Sequence, residues 1–83
     1  MKLPIIRQFF QNSTAEELET AAKVLEDYSD FRGVSEDELH VIGEILTNLF
    51  GAMEVHDAVK DGQSEKDALN GFAQKVMGSI DRH

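Results

Sequence analysis

The chain has 83 residues, no Cys, and sixteen acids against eight bases for a formal charge of −8. That length holds one domain, 1–83, whose single core supplies only about 3–5 kcal/mol of net stability. The lack of Cys excludes disulfide stapling, thiolate zinc sites, thiol redox chemistry and a cysteine nucleophile. The bases are scattered from Lys2 to Arg82 with no basic face, so the acidity opposes binding to nucleic acid.

In chain order, Met1 to Gln11 comes first. Pro4 suits the first turn of a helix, and Ile5, Ile6, Phe9 and Phe10 follow at helical spacing, so a short helix is expected here in preference to an extended arm. Lys2, Arg7 and Gln8 interrupt the segment, and it has neither an h-region nor a small-residue cleavage pattern, which argues against a secretory signal. The longest apolar runs are far short of the roughly 20 residues that span a bilayer, so the expected location is cytoplasmic, with no membrane partner.

Three helix starts follow, each a hydroxyl three residues before an acid: Ser13 with Glu16, Ser35 with Glu38, and Ser64 with Asp67. Such boxes satisfy orphan N–H groups of the first turn and set carboxylates at the positive end of the helix dipole. The first opens an amphipathic helix from about Thr14 to Phe31, with Leu18, Ala21, Ala22, Leu25 and Tyr28 on one face and Gly33 placed to stop it. The second opens a helix from about Asp37 to Lys60, about 36 Å long, with Gly62 as its stop. It carries two apolar stripes. Leu39, Ile42, Leu46, Leu49, Met53 and His56 form one, and Val41, Ile45, Ala52, Val55 and Val59 the other, so this helix is buried on two sides and is the hub of the fold. The third opens a helix from about Glu65 to Ile80 with Leu69, Phe72, Ala73, Val76, Met77 and Ile80 on its core face.

The constellations that could carry chemistry are thin. From Asp57 to Ala68, Asp61, Gly62 and Glu65 fall where a calcium loop would have them, but Val59 and Ala68 stand where two of its oxygen ligands belong. A helix stop followed by a cap explains the same residues. Glu36, His40 and Glu44 recur at four-residue spacing and could form one side of a metal site that borrows acids from another helix; the competing explanation is a solvated stripe. His56 on the apolar face reads as a partly buried, hydrogen-bonded residue. Gly43 and Gly51 inside the hub each cost about 1 kcal/mol relative to Ala. With Thr47 between them they make a ridge of small residues, its face continued by Glu54 and Ala58, that another helix could approach, either this chain's own first or second helix or a partner's.

The opening Met1 to Arg7, the central Glu38 to Leu46 with Asn48 to Ala52 and Glu54 to His56, and the closing Asp67 to Asn70 with Val76 to Asp81 resemble a family of short bacterial proteins of unknown function. The resemblance spans nearly the whole chain and implies no reaction and no binding residues. Through gene neighbours encoding thioredoxin-like and peroxiredoxin-like proteins it implies an accessory role in a redox system, which a chain without Cys fills only by binding.

Together these readings predict an all-α fold: a small helical bundle of three long helices plus a short N-terminal helix. Its core comprises Leu18, Leu25, Tyr28, Leu39, Ile42, Ile45, Leu46, Leu49, Met53, Phe72, Val76 and Ile80. The expected function is a non-catalytic module that needs no cofactor and binds another protein or itself, as a homodimer through Phe9, Phe10 or Phe50. Gly43, Thr47, Gly51 and Glu54 are the candidate interaction residues. The alternative is a metal- or small-ligand-binding protein using Glu36, His40 and Glu44.

Overall fold

The computed structural model describes residues 1–80, with side chains placed through residue 76. Four helices follow one another: α1 (Leu3–Asn12), α2 (Ala15–Ser29), α3 (Glu36–Lys60) and α4 (Glu65–Ile80). The described residues contain no strand. No helix among them is long and apolar enough to cross a membrane.

The helix ends follow from local chemistry. Ser35 Oγ accepts the Glu38 N–H at 3.1 Å while Glu38 Oε1 accepts the Ser35 N–H at 2.9 Å, the reciprocal box expected at the start of α3. Ser64 Oγ accepts from Asp67 N–H at 3.1 Å at the start of α4. At α2 the box sits one residue later than expected, on Thr14 and Glu17 rather than Ser13 and Glu16. The reason is that α1 runs on to Asn12, so Ser13 closes α1 instead, donating its N–H to Phe9 O at 3.0 Å. Helix α3 ends in a Schellman motif: Gln63 N–H reaches Ala58 O, Gly62 N–H reaches Val59 O, and Gly62 takes φ +108°. Helix α2 ends at Ser29, before Gly33, and the chain turns through Asp30 to Val34.

Helix α3 is the hub. Helix α2 packs back along it, and α1 lies beside it pointing the same way, since Lys2 meets Asn48, Ile6 meets Gly51 and Phe10 meets His56. Helix α4 covers the C-terminal half, with Phe72 against Gly51 and Lys75 paired to Glu54 at 3.0 Å. The core joins Ile6, Leu18, Ala22, Leu49, Ala52, Val55, Ala68 and Leu69, of which Ile6, Ala52 and Val55 are fully buried. Leu25, Ile45, Leu46, Met53 and Phe72 pack half-buried around it, as do Phe9 and Phe10, whereas Phe50, offered with them for a dimer, is exposed. Ile42 is buried and Val76 half-buried.

Two expected core residues are corrected. Tyr28 is 50 % and Leu39 44 % exposed, because both stand near the α2–α3 turn, away from the stretch of α3 that α1 and α4 are seen to meet. The expectation for Ile80 lies outside the described side chains.

Candidate interaction surface

The four ridge residues of α3 do not make one surface. Gly51 is buried, and a Cβ there would lie 2.7 Å from Ile6 Cδ1 and 3.1 Å from the Phe72 ring, so this glycine is where α1 and α4 both press on the hub. Gly43 is exposed with nothing near its face. Thr47 turns its hydroxyl back to Gly43 O at 2.8 Å, and Glu54 is held by Lys75.

The residues offered for a metal are exposed on α3, and Glu44 pairs with the Met1 amine at 3.8 Å. Among the described residues no three His, Asp or Glu side chains, Glu36, His40 and Glu44 included, gather so as to hold a metal ion. The loop that resembled a calcium site is spent on ending α3 and capping α4, and its Glu65 accepts from Gln11 Nε2 at 3.1 Å and pairs with Arg7 at 3.5 Å. His56 is half-buried: its Nε2–H donates to Ser13 O at 2.7 Å, since a carbonyl can only accept, and its ring lies 4.4 Å from that of Phe10. It ties the α1–α2 junction to the hub.

Sequence reasoning missed Asn48, the buried polar residue of the hub, 2 % exposed. Its Oδ1 accepts the Lys2 N–H at 2.8 Å and its Nδ2 donates to Glu44 O at 3.0 Å. Lys2 is the N-cap of α1 and has no side-chain cap of its own, so Asn48 satisfies one orphan donor at the start of that helix. The signal in the sequence was a polar residue inside an apolar stretch, which is informative only once it is known to be buried.

Part of the exposed apolar surface lies along α2 and the start of α3. Val24 and Phe31, four residues before and three after Tyr28, are 62 % and 68 % exposed, and Val41 on α3 is 59 % exposed. Leu25, Tyr28, Val41 and Ile42 line an open groove of about 390 Å³, with Asp37 and Glu38 on its rim. Tyr28 OH donates to Glu38 Oε2, and Ser35 N–H holds the other carboxylate oxygen. The Tyr28 hydrogen bond, with the two Ser35 bonds behind it, lowers the Glu38 carboxyl below the ordinary carboxylate value. The same bond, followed by the carboxylate's charge, raises the Tyr28 phenol above its ordinary value. One wall of the groove is thus fixed by a polar clasp between the two helices. A wider depression of about 670 Å³ between α1 and α4 is more polar, and its acid Glu65 already has Arg7 and Gln11 as partners.

No curated protein and no solved structure matches the chain. A family model does match, over residues 1–81, and the chain belongs to that family of unknown function, DUF6952.

Proposed function

We propose that this protein is a non-catalytic module that recognises another protein in the cytoplasm. The observation that carries the reading is the open groove between α2 and α3, lined by Leu25, Tyr28, Val41 and Ile42, with Tyr28 50 % and Val41 59 % exposed. Large apolar side chains gathered around a groove at this exposure are a recurrent mark of a recognition surface, whereas apolar residues scattered singly are not. The polar groups of the groove support recognition rather than catalysis. Tyr28 OH donates to Glu38 Oε2 and Ser35 N–H to Glu38 Oε1, so both side chains serve to join and cap the two helices.

The test is photo-crosslinking in the native host, with a photoreactive residue at Phe31 or Val24 and a control at Glu19. The reading requires a discrete adduct with one protein at the first two positions and none at the third. Absence of any discrete adduct at Phe31 and Val24 would sink it.

A further inference from the structure

We propose that the groove between α2 and α3 receives a cationic amphipathic helix of the partner protein, seated on Val41 and Tyr28 and held by the acids of the rim. The inference rests on the protein-recognition reading above and names the class of segment recognised.

The first argument is continuity with an interface that the chain already makes. Asp37, Val41, Glu44, Asn48, Gly51 and Val55 follow one another at three- and four-residue steps, so they form one line along α3. From Glu44 onward α1 meets that line: the Met1 amine at Glu44, the Lys2 N–H at Asn48, Ile6 at Gly51. Beyond the start of α1 the same line continues to Val41 and Asp37, and there it borders the open groove. The line of α3 along which α1 lies therefore continues about one turn further with no described segment over it.

The second argument is charge. The helix that fits the occupied part of the line is apolar and basic: residues 1–13 contain Lys2 and Arg7 and no acid, and all sixteen acids lie beyond them. Its positive groups meet Glu44 and Glu65. The open part offers the same combination, an apolar floor with Asp37 and Glu38 at its edge. A second copy of this chain fits badly, because it would bring a second charge of −8 against the first, and its one acid-free helix is already docked. An amphipathic helix laid in an apolar groove is a recurrent mode of recognition, with anchors at i, i+3, i+4 and i+7.

The test uses the full chain and a labelled peptide of about fourteen residues, with Leu at the apolar helical positions and Lys elsewhere, against a counterpart with Glu in place of Lys. Fluorescence anisotropy at low salt should show binding of the Lys peptide and none of the Glu peptide. Val41→Asp separates a seated helix from loose attraction, since an added negative charge strengthens the second and spoils the first. It should weaken binding by about tenfold or more, as the loss of one anchor does. Val41→Ser should weaken binding in the same direction should the Asp variant unfold, with folding checked by circular dichroism. Phe50→Ser, at an exposed residue of α3 away from the groove, should leave binding unchanged.

Equal or tighter binding by Val41→Asp overturns the inference, as does equal binding of the Glu peptide. A sedimentation result in which the wild-type chain is a dimer and Val41→Asp a monomer makes a second copy the occupant. That outcome, or a crosslinked partner whose adduct lies on an acidic segment, sinks the cationic helix. Failure of both Phe31 and Val24 to give any adduct removes the recognition reading itself.

Discussion

Two glycines eight residues apart on the same helix should respond to the same substitution with opposite signs. Replacing Gly by Ala in a helix interior gains about 1 kcal/mol from the smaller loss of backbone freedom. At Gly43 nothing lies within reach of the new methyl, so Gly43→Ala keeps that gain and should raise stability by about 1 kcal/mol, or about 4–8 °C in Tm for a domain of this size. At Gly51 the methyl would sit 2.7 Å from Ile6 Cδ1 and 3.1 Å from two atoms of the Phe72 ring. Ile6 is fully buried, so the end of its side chain can turn aside only against other core atoms, and overpacking of this kind costs about 1–3 kcal/mol. The net effect of Gly51→Ala is a loss of about 1 kcal/mol, and Gly51→Leu should prevent α1 and α4 from docking together. Urea denaturation followed by circular dichroism reads both variants. The double variant Ile6→Val with Gly51→Ala removes the methyl that clashes. Ile6→Val alone should cost about 0.5–1.5 kcal/mol, and distinctly less when Gly51 is already Ala. Equal stabilisation by Ala at both glycines would refute the close approach of α1 to the hub, and with it the argument that the line from Gly51 to Asp37 is a helix-binding face.

Asn48→Leu should cost about 1–3 kcal/mol in the same assay, because it leaves the Lys2 N–H without its acceptor, and hydrogen exchange should show α1 losing protection first. His56→Ala should destabilise by about 1–2 kcal/mol through loss of the Ser13 bond and the Phe10 contact, with His56→Phe milder because it keeps the ring. Tyr28 is the sole tyrosine of a chain without Trp, so its ionisation can be followed by ultraviolet absorbance, and the midpoint should lie above 10.0 and fall in Glu38→Gln. The signs of linkage differ for the two partners. Glu38, lowered in the fold, contributes stability that is present above its unfolded value of 4.5 and lost as pH falls through the folded value. Tyr28, raised in the fold, contributes stability that is present below 10.0 and lost as pH rises through the folded value. The stability difference between wild type and Glu38→Gln should therefore shrink on acidification, and a difference that grows would contradict the clasp.

Helix existence and type were legible because the signals are local. Periodicity marked α2, α3 and α4, Pro4 marked α1, and Gly62 with Ser64 marked the break between α3 and α4. The box at α2 was off by one because Ser13 and Thr14 both qualify, and only the length of α1 decides which of them is left to cap α2. The site was less legible. A stripe of apolar residues on a helix states that something should cover it and not how far along the covering helix reaches. Val41 and Val55 belong to one sequence stripe, yet Val55 is fully buried and Val41 is 59 % exposed. Gly43 and Gly51 looked equivalent for the same reason, and tertiary packing makes one of them a contact and the other open surface.

That difference follows from length. Helix α3 has 25 residues and α1 has 10, which at 1.5 Å per residue is about 37 Å against about 15 Å. Anchored by Asn48 and Gly51, α1 is spent on the C-terminal half of the hub, with the Met1 amine before it reaching back to Glu44, and α4 is seen against that same half at Gly51 and Glu54. The N-terminal half is left with α2 as its packing neighbour, joined by the Tyr28–Glu38 clasp. A helix written with two apolar stripes over its whole length, but given a second cover over only part of it, keeps an apolar line it does not need for its own core. Carrying Val41 bare makes the chain less soluble than a polar residue there would, and folding alone gives no reason for it, whereas Tyr28 also serves the clasp. Val41→Lys accordingly should leave the denaturation midpoint unchanged within the error of the measurement, because Val41 stands outside the core cluster, while it removes the capture of the cationic peptide. A large loss of stability in that variant would place Val41 in the fold rather than in recognition.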